Sequence, residues 1–282
     1  MKRISKFIQR LSVVILFVIS ACAGISEIET VKTSYGKSAY YFDSSSKPVI
    51  VLEAGLSDSI EQWGGFLNEL SDTGSVFAYN RAGFAGSSSK NKTRDGQTIA
   101  AELKELLATA GVQPPFVLVG HSLGGAYMEL YAKLYPDDVM GVVLIDPNDA
   151  RYPAACRKSE LGFCDPPNAM PLWAKLFFPK AVSGEIESWV QTHQQVIAAN
   201  KFVSVPLAVI SAGKSDESLD ESARARVRLV SALHKQLADE SEVSKHLICD
   251  TCGHYVHHEN PMLVKSAIEW VIENSNVHAS DY

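Results

Sequence analysis

The chain has 282 residues, of which 46% are hydrophobic and 21% charged, and its formal net charge is −6. These values are typical of a globular protein with one sizeable core, and they exclude a disordered or fibrous chain. The acidic balance provides no basic surface for phosphate backbones and no nucleic-acid-binding motif is found, so we expect no nucleic acid as a partner.

The first 21 residues are predicted to be an export signal. Four basic residues precede the apolar run Leu11–Ile19, which is shorter than the roughly 20 residues of a membrane-spanning helix. The run ends in Ser20-Ala21-Cys22, which resembles the lipobox of bacterial lipoproteins, whose mature chain begins at an acylated cysteine. The resemblance implies an anchor at Cys22 and, with Ala23 next, an outer-membrane location facing the periplasm. Ordinary cleavage near Ala23, which would leave a soluble protein, is the alternative.

Removing residues 1–21 leaves 22 basic and 32 acidic residues, a net charge of −10, and, besides Cys22, four cysteines, Cys156, Cys164, Cys249 and Cys252. An even number in an exported chain indicates disulfides, and pairing within 156/164 and within 249/252 is the first choice because each pair closes a short loop. A zinc or thioredoxin-type site at the C-x-x-C is disfavoured, because a second ligand pair is missing and Cys249 ends a predicted strand. We expect neither a metal nor a cofactor.

The apolar runs after residue 46 are short and β-branched, and they alternate with helical patterns. The predicted strands are Val49–Leu52, Val76–Tyr79, Phe116–Val119, Val142–Ile145, Leu207–Ile210 and Lys245–Cys249; the predicted helices are Ile99–Ala110, Ala126–Tyr135 and Glu221–Ala238. This pattern predicts an α/β fold with a doubly wound, mostly parallel sheet and helices on both faces. We assign residues 46–275 to one domain, and residues 22–45 to a tether and the first strands.

The sharpest local motif is a buried strand that runs into a glycine-flanked serine. Phe116–Val119 is followed by Gly120-His121-Ser122-Leu123-Gly124 and then by a helical pattern. The G-x-S-x-G motif between a strand and a helix is the nucleophile elbow, in which a sharp turn presents the serine hydroxyl. The sequence therefore predicts Ser122 as a nucleophile and the N–H of Leu123 as an oxyanion donor.

Four motifs in this order resemble the α/β-hydrolase family over about residues 49–271. Glu53-Ala54-Gly55-Leu56 matches the loop that supplies the second oxyanion donor, here the N–H of Leu56. Tyr79–Ser87 looks like Y-D-R-x-G-x-G-x-S, and Gly253–Pro261 resembles the ending around the catalytic histidine, here His254. The sequence departs from the family pattern at two places. Ala54-Gly55 stands where the family usually has His-Gly, which resembles a subgroup with E-A-G-L and G-H-S-L-G-G. Asn80 stands where the family commonly has Asp.

The resemblance implies a serine hydrolase without a cofactor that cleaves a small or medium carboxylic ester. His254 is the general base that a weak serine nucleophile needs. The acid that orients it is predicted to be Asp216, which stands three residues after Gly213, with Asp146 at the end of Val142–Ile145 as the rival. The alternatives are a catalytically idle surface lipoprotein that uses the pocket for binding, or an acyltransferase or perhydrolase of the same fold.

Residues 148–200 interrupt the alternation of strands and helices and are predicted to form a lid. Four apolar residues within it are Trp173, Leu176, Phe177 and Phe178. They either line a pocket for the acyl or alcohol part of the substrate or seal the lid to the core, and both interpretations stay open.

Overall fold

The structure, a computed structural model, describes residues 28–45, 48–90, 93–162, 164, 178–199, 202, 205–214 and 220–279. The predicted export signal with Cys22, the lid residues Trp173, Leu176 and Phe177, and the predicted acid Asp216 lie outside these ranges. Within them, no helix combines the length and the apolar character that crossing a membrane requires.

The described strands form one eight-stranded sheet. They are β1 (Glu29–Thr33), β2 (Gly36–Asp43), β3 (Val49–Glu53), β4 (Ser75–Tyr79), β5 (Phe116–His121), β6 (Val139–Ile145), β7 (Leu207–Ala212) and β8 (Ser244–Cys249). Their order is β1-β2-β4-β3-β5-β6-β7-β8. Strand β2 is antiparallel to both neighbours and every other pair is parallel. The predicted mostly parallel sheet is confirmed.

Helices cover both faces of this sheet. They are α1 (Phe66–Glu69), α2 (Gly96–Thr109), α3 (Leu123–Leu134), α4 (Tyr152–Lys158), α5 (Lys180–Glu187), α6 (Trp189–Ala198), α7 (Glu221–Ala238), α8 (Val256–Glu259) and α9 (Pro261–Ala279). In β3, Val49 and Val51 pack in the layer that contains α2, α3 and α7, whereas Ile50 and Leu52 pack in the layer that contains α1 and α9. This alternation follows from the two-residue period of a strand and confirms burial on both sides.

The parallel strands β3, β5, β6, β7 and β8 all end at one edge of the sheet. The loops after β3, β5, β6 and β8 carry, in turn, Leu56, Ser122, Asp146 and His254. In open α/β sheets, ligands bind at the carboxyl ends of the strands. The topology therefore brings residues that are up to 198 positions apart in the sequence to one edge.

The described part of residues 148–200, the predicted lid, contains three helices. They are α4, α5 and α6, and α6 packs on α2 and α3. The disulfides pair Cys156 with Cys164 and Cys249 with Cys252, as expected from the short loops. The second disulfide directly precedes Gly253 and His254, so it closes the turn that delivers the histidine.

Candidate active site

Ser122 occupies a strained turn between β5 and α3. Its φ of 55° and ψ of −121° are unusual for a residue with a side chain, and such strain persists only where the surroundings enforce it. The Ser122 N–H donates to the carbonyl of Ile145 at 3.0 Å, and the Ser122 carbonyl accepts the N–H groups of Gly125 and Asn148 at 3.0 and 2.8 Å. The elbow is thus held between β6 and the loop that follows it.

The glycines of the elbow are required by close packing. A Cβ at Gly120 would lie 2.6 Å from the carbonyl oxygen of Gly124, and a Cβ at Gly124 would lie 2.4 Å from the carbonyl oxygen of Ala54. Both atoms belong to backbone that cannot rotate away. The motif therefore brings the start of α3 into contact with the loop after β3.

A carboxylate and an imidazole meet beside this serine. The Nδ1 atom of His254 lies 2.6 Å from Oδ2 of Asp146, and Oδ1 of Asp146 accepts the N–H of Ala212 at 3.0 Å. The Asp146 side chain is 13% exposed and that of His254 is 47% exposed. Because Nδ1 faces the carboxylate, Nε2 is the ring nitrogen left for a reacting group.

Asp146, at the end of β6 and the rival acid of the sequence analysis, is the described carboxylate that contacts His254. Asp216, the preferred acid, falls in 215–219, outside the described residues, and stays a prediction. Asp146 reaches His254 because of its backbone direction. Asp146 has a φ of 41°, which turns its side chain at the strand end, and the Ala212 N–H fixes the second carboxylate oxygen.

Ser122, Asp146 and His254 line one cavity of about 190 Å³, together with Tyr152, Val230 and His234. The imidazole of His234 is buried and its Nε2 lies 2.9 Å from the carbonyl oxygen of Pro147. Across the described residues, no cluster of three or more His, Cys, Asp or Glu side chains fits a metal ion. The chemistry available at this cavity is that of a hydroxyl, an imidazole and a carboxylate.

The loop after β3 lies directly against the serine. A Cβ at Gly55 would be 3.4 Å from Cβ of Ser122 and 3.2 Å from Nδ1 of His121. Leu123 begins α3, and the N–H groups of a first helical turn have no acceptor within the helix. Leu56 follows Gly55, so both predicted donor residues flank the serine.

A buried ionic network under this loop was not predicted from the sequence. The guanidinium of Arg81 donates to Glu53 at 2.7 Å, to Glu185 at 2.8 and 3.0 Å, and to the carbonyls of Ala54 and Gly55 at 2.7 and 2.8 Å. All three charged side chains are at most 1% exposed. One signal was available: Glu185 shares a helix face with two apolar residues, Ala181 and Val182, which stand four and three positions before it.

The structure explains one of the two departures from the family motifs, the asparagine at position 80. Asn80 accepts the N–H of Ile60 at 2.8 Å and donates through Nδ2 to the carbonyl of Ala85 at 2.7 Å. An ionised aspartate has no donor for the second bond.

Two other histidines near the site, His121 and His257, are buried. Burial, reinforced by the nearby His254, lowers the pKa of His121 to about 4. Burial, reinforced by His121 and His258, lowers the pKa of His257 to about 2. Nε2 of His121 lies 2.9 Å from the carbonyl oxygen of His254, so this neutral ring supports the histidine loop.

Comparison with known sequences identifies related proteins. The profile that describes the alpha/beta hydrolase fold matches residues 48–196, more than half of the chain. A Bacillus subtilis protein, described as the uncharacterised protein YqjL, is 28% identical over 231 residues, which cover 79% of this chain and 83% of that protein.

Solved structures show the same fold. A mutant epoxide hydrolase of Vigna radiata superimposes with a TM-score of 0.63 at 15% identity, covering 88% of this chain and 98% of that one. The carboxylesterase CesB of Bacillus subtilis superimposes with a TM-score of 0.59 at 18% identity, covering 87% of this chain and 91% of that one. At these identities the likeness establishes the fold alone.

Proposed function

The chain belongs to the α/β-hydrolase fold family, and on this premise we propose that it is a serine hydrolase that cleaves a carboxylic ester through an acyl-enzyme at Ser122. The observation that carries the proposal is the strained serine of the elbow, which shares a cavity with an imidazole whose Nδ1 is held by Asp146. A protein that only binds a ligand needs none of these three groups together. The epoxide hydrolase and the carboxylesterase illustrate that reactions differ within this fold, so the proposal rests on the site.

In the acylation step, Oγ of Ser122 attacks the ester carbonyl carbon and its proton passes to Nε2 of His254. Asp146 stabilises the imidazolium that forms and holds the ring tautomer, without taking the proton itself. The N–H groups of Leu123 and Leu56 bind the oxyanion of the tetrahedral intermediate. The intermediate collapses when His254 returns the proton to the departing alcohol oxygen, which leaves the acyl group on Ser122.

In the deacylation step, His254 removes a proton from water, and the resulting hydroxide attacks the acyl carbonyl. The same two N–H groups bind the second oxyanion. Collapse returns the proton from His254 to Oγ of Ser122 and releases the carboxylic acid. The net reaction is ester plus water to acid plus alcohol, and no further reagent is needed.

The size of the cavity favours small or medium esters. A volume of about 190 Å³ accommodates a short acyl or alcohol group, whereas pockets for drug-sized ligands span roughly 300–1,000 Å³. Tyr152 and Val230 provide the ring and aliphatic surface of this cavity. A preference for short acyl chains is therefore part of the proposal.

We also propose that the enzyme is a lipoprotein of the bacterial cell envelope, anchored through Cys22. The support is the sequence before this cysteine together with the two disulfides, which are typical of exported proteins. More than one acyl chain is required for stable anchoring. The hydrolase domain would then act on substrates near a membrane surface.

The proposal is tested by labelling the purified protein with a fluorophosphonate and assaying p-nitrophenyl esters of increasing chain length. Ser122→Ala should abolish both labelling and hydrolysis. Ser211→Ala is the matched control, because Oγ of Ser211 also lies 2.8 Å from a histidine nitrogen, in His234, but this serine is fully buried. Labelling that survives Ser122→Ala would overturn the assignment.

Two further outcomes separate the alternatives. A folded wild-type protein that neither reacts with the label nor hydrolyses any ester would be the idle binding protein. A protein that is labelled at Ser122 and transfers the acyl group to an added alcohol faster than to water would be an acyltransferase.

A further inference from the structure

Arg81 lies under the active-site loop and is held from two sides. Its guanidinium is buried between Glu53 of β3 and Glu185 of α5, and it donates to both carboxylates. Its remaining bonds go to the consecutive carbonyls of Ala54 and Gly55. Although burial alone lowers its pKa, the charges of Glu185 and Glu53 raise the pKa of Arg81 well above the ordinary value, so it stays a cation.

The bond to the Gly55 carbonyl determines where the next N–H points. A peptide unit is planar and trans, so the N–H of Leu56 points opposite to the carbonyl of Gly55. The preceding unit shows the same arrangement, because the Ala54 carbonyl faces Arg81 while the Gly55 N–H donates to Oε1 of Gln62 at 3.2 Å. Consecutive carbonyls on one side leave consecutive N–H groups on the other.

The side opposite to Arg81 is the side of the serine. Gln62, which accepts the Gly55 N–H, also contacts His121 at 3.1 Å, and His121 directly precedes Ser122. Gly55 itself lies against Cβ of Ser122. The N–H of Leu56 therefore belongs to the surface that faces the reacting centre.

The loop needs such a restraint because it contains a glycine at the critical position. A Cβ at Gly55 would lie 2.8 Å from Oδ2 of Asp58 and 3.2 Å from Nδ1 of His121, which favours glycine, but glycine also permits backbone conformations that other residues exclude. A rotation of the Gly55–Leu56 peptide would present a carbonyl oxygen to the developing oxyanion in place of an N–H. The Gly55 carbonyl also accepts the N–H of Asp58 at 3.2 Å, so Arg81 provides the shorter of its two restraints.

We propose that Arg81 is a positioning residue that fixes the Leu56 N–H as an oxyanion donor and links it, through Glu185, to the lid helix α5. This inference rests on the proposed serine hydrolase function. Arg81 does not touch the substrate; it acts on the orientation of one peptide unit. Glu185 holds the other edge of the guanidinium, so a displacement of α5 would be transmitted to the oxyanion donor.

Arg81→Lys tests this role, because an ammonium group cannot bond two carbonyls and two carboxylates in one plane. Loss of one oxyanion donor lowers kcat by about 10² to 10³, so kcat should fall by up to this factor while KM changes little. The affinity for a trifluoromethyl ketone, whose serine adduct carries an oxyanion, should fall by the same factor. A merely structural role would not move kcat and this affinity together.

Arg94→Lys is the matched control. Arg94 is also buried and lies 3.6 Å from Glu185, but its close ion pair, at 2.6 Å, is with Glu102 rather than with a residue of β3. This variant should lower Tm as Arg81→Lys does, yet leave kcat and the ketone affinity close to wild type. Equal losses in both variants, or an unchanged kcat in Arg81→Lys, would overturn the proposal.

A second variant and a crystal structure keep the test independent of folding and of activity. Glu185→Gln retains the shape of the side chain but removes its charge, and it should reduce kcat by a smaller factor, again at constant KM. In a crystal structure of whichever Arg81 or Glu185 variant folds, the Gly55–Leu56 peptide should be rotated or disordered. If the wild type reacts with neither fluorophosphonate, ester nor ketone, the hydrolase proposal fails. The orientation of the Gly55–Leu56 peptide in the variants then decides the role of Arg81 by itself. A variant peptide oriented as in the wild type would refute the positioning role.

Discussion

Asp146→Asn separates the structural assignment of the acid from the expectation based on sequence spacing. In the native site, Oδ1 of Asp146 accepts the Ala212 N–H and Oδ2 faces Nδ1 of His254. An asparagine in the same rotamer keeps its oxygen on Ala212, because only the oxygen accepts a hydrogen bond. Its NH₂ group then replaces Oδ2 and donates to Nδ1 of His254.

This exchange selects the wrong tautomer of the imidazole. With Nδ1 acting as an acceptor, the ring proton of His254 moves to Nε2, where it faces Ser122 and blocks proton removal. The corresponding change in a serine protease triad lowers kcat by about 10⁴, which is about 5.4 kcal/mol of transition-state stabilisation at 1.36 kcal/mol per factor of ten. Asparagine is tolerated at positive φ, so the backbone at φ 41° should survive.

The assay is the kcat of a short-chain p-nitrophenyl ester, with the rate of fluorophosphonate labelling as a second readout. Asp146→Asn should lose activity by three to four powers of ten, on the order of the triad precedent. Asp216→Asn, at the competing position, should keep nearly full activity and supplies the control. A folded Asp146→Asn protein that retains more than about a tenth of its activity, with a collapse in Asp216→Asn instead, would refute the assignment.

Three further outcomes are expected. Gly124→Ala should lower the free energy of unfolding by about 1–3 kcal/mol, because the added methyl group overpacks against the Ala54 carbonyl. Gly65→Ala, whose added methyl group would lie in open space, should not. Urea unfolding of the two variants measures the difference. Burial lowers the pKa of His193 to about 4, below an unfolded value of about 6.5. As the pH falls from about 6.5 to 4, the wild type should therefore lose up to about 1.4 kcal/mol of unfolding free energy per pH unit more than His193→Gln. Equal slopes of unfolding free energy against pH in the two proteins would contradict this. Cys22→Ser should move the protein from washed membranes to the soluble fraction, and unchanged partition would exclude the lipid anchor.

The strands and the elbow could be predicted because their signals are local. A buried parallel strand has a continuous apolar run, and each predicted run lies inside an observed strand. The boundaries were less accurate where pairing decides them. Strand β6 begins at Val139, three residues before the predicted start, because Val139 pairs with Phe116 ahead of a register shift.

The acid could not be chosen from the sequence because both candidates follow a strand at a suitable spacing. The decision depends on the backbone turn at Asp146 and on the N–H of Ala212 in the neighbouring strand. Neither feature leaves a trace in the local pattern. Sequence spacing thus places a carboxylate at the correct sheet edge, whereas the hydrogen bonds determine which one contacts His254.

The ionic network around Arg81 is hard to explain by stability alone. Removing three charged groups from water is expensive, and replacing a buried ion cluster by well-packed apolar side chains is often neutral or stabilising. Arg81, Glu53 and Glu185 are each at most 1% exposed, so an apolar core would serve the fold at least as well. What an apolar core cannot do is bind the carbonyl groups of Ala54 and Gly55 and so orient the peptide next to Ser122. The arrangement of these bonds therefore favours a role in presenting an N–H to the oxyanion over a role in holding the domain together.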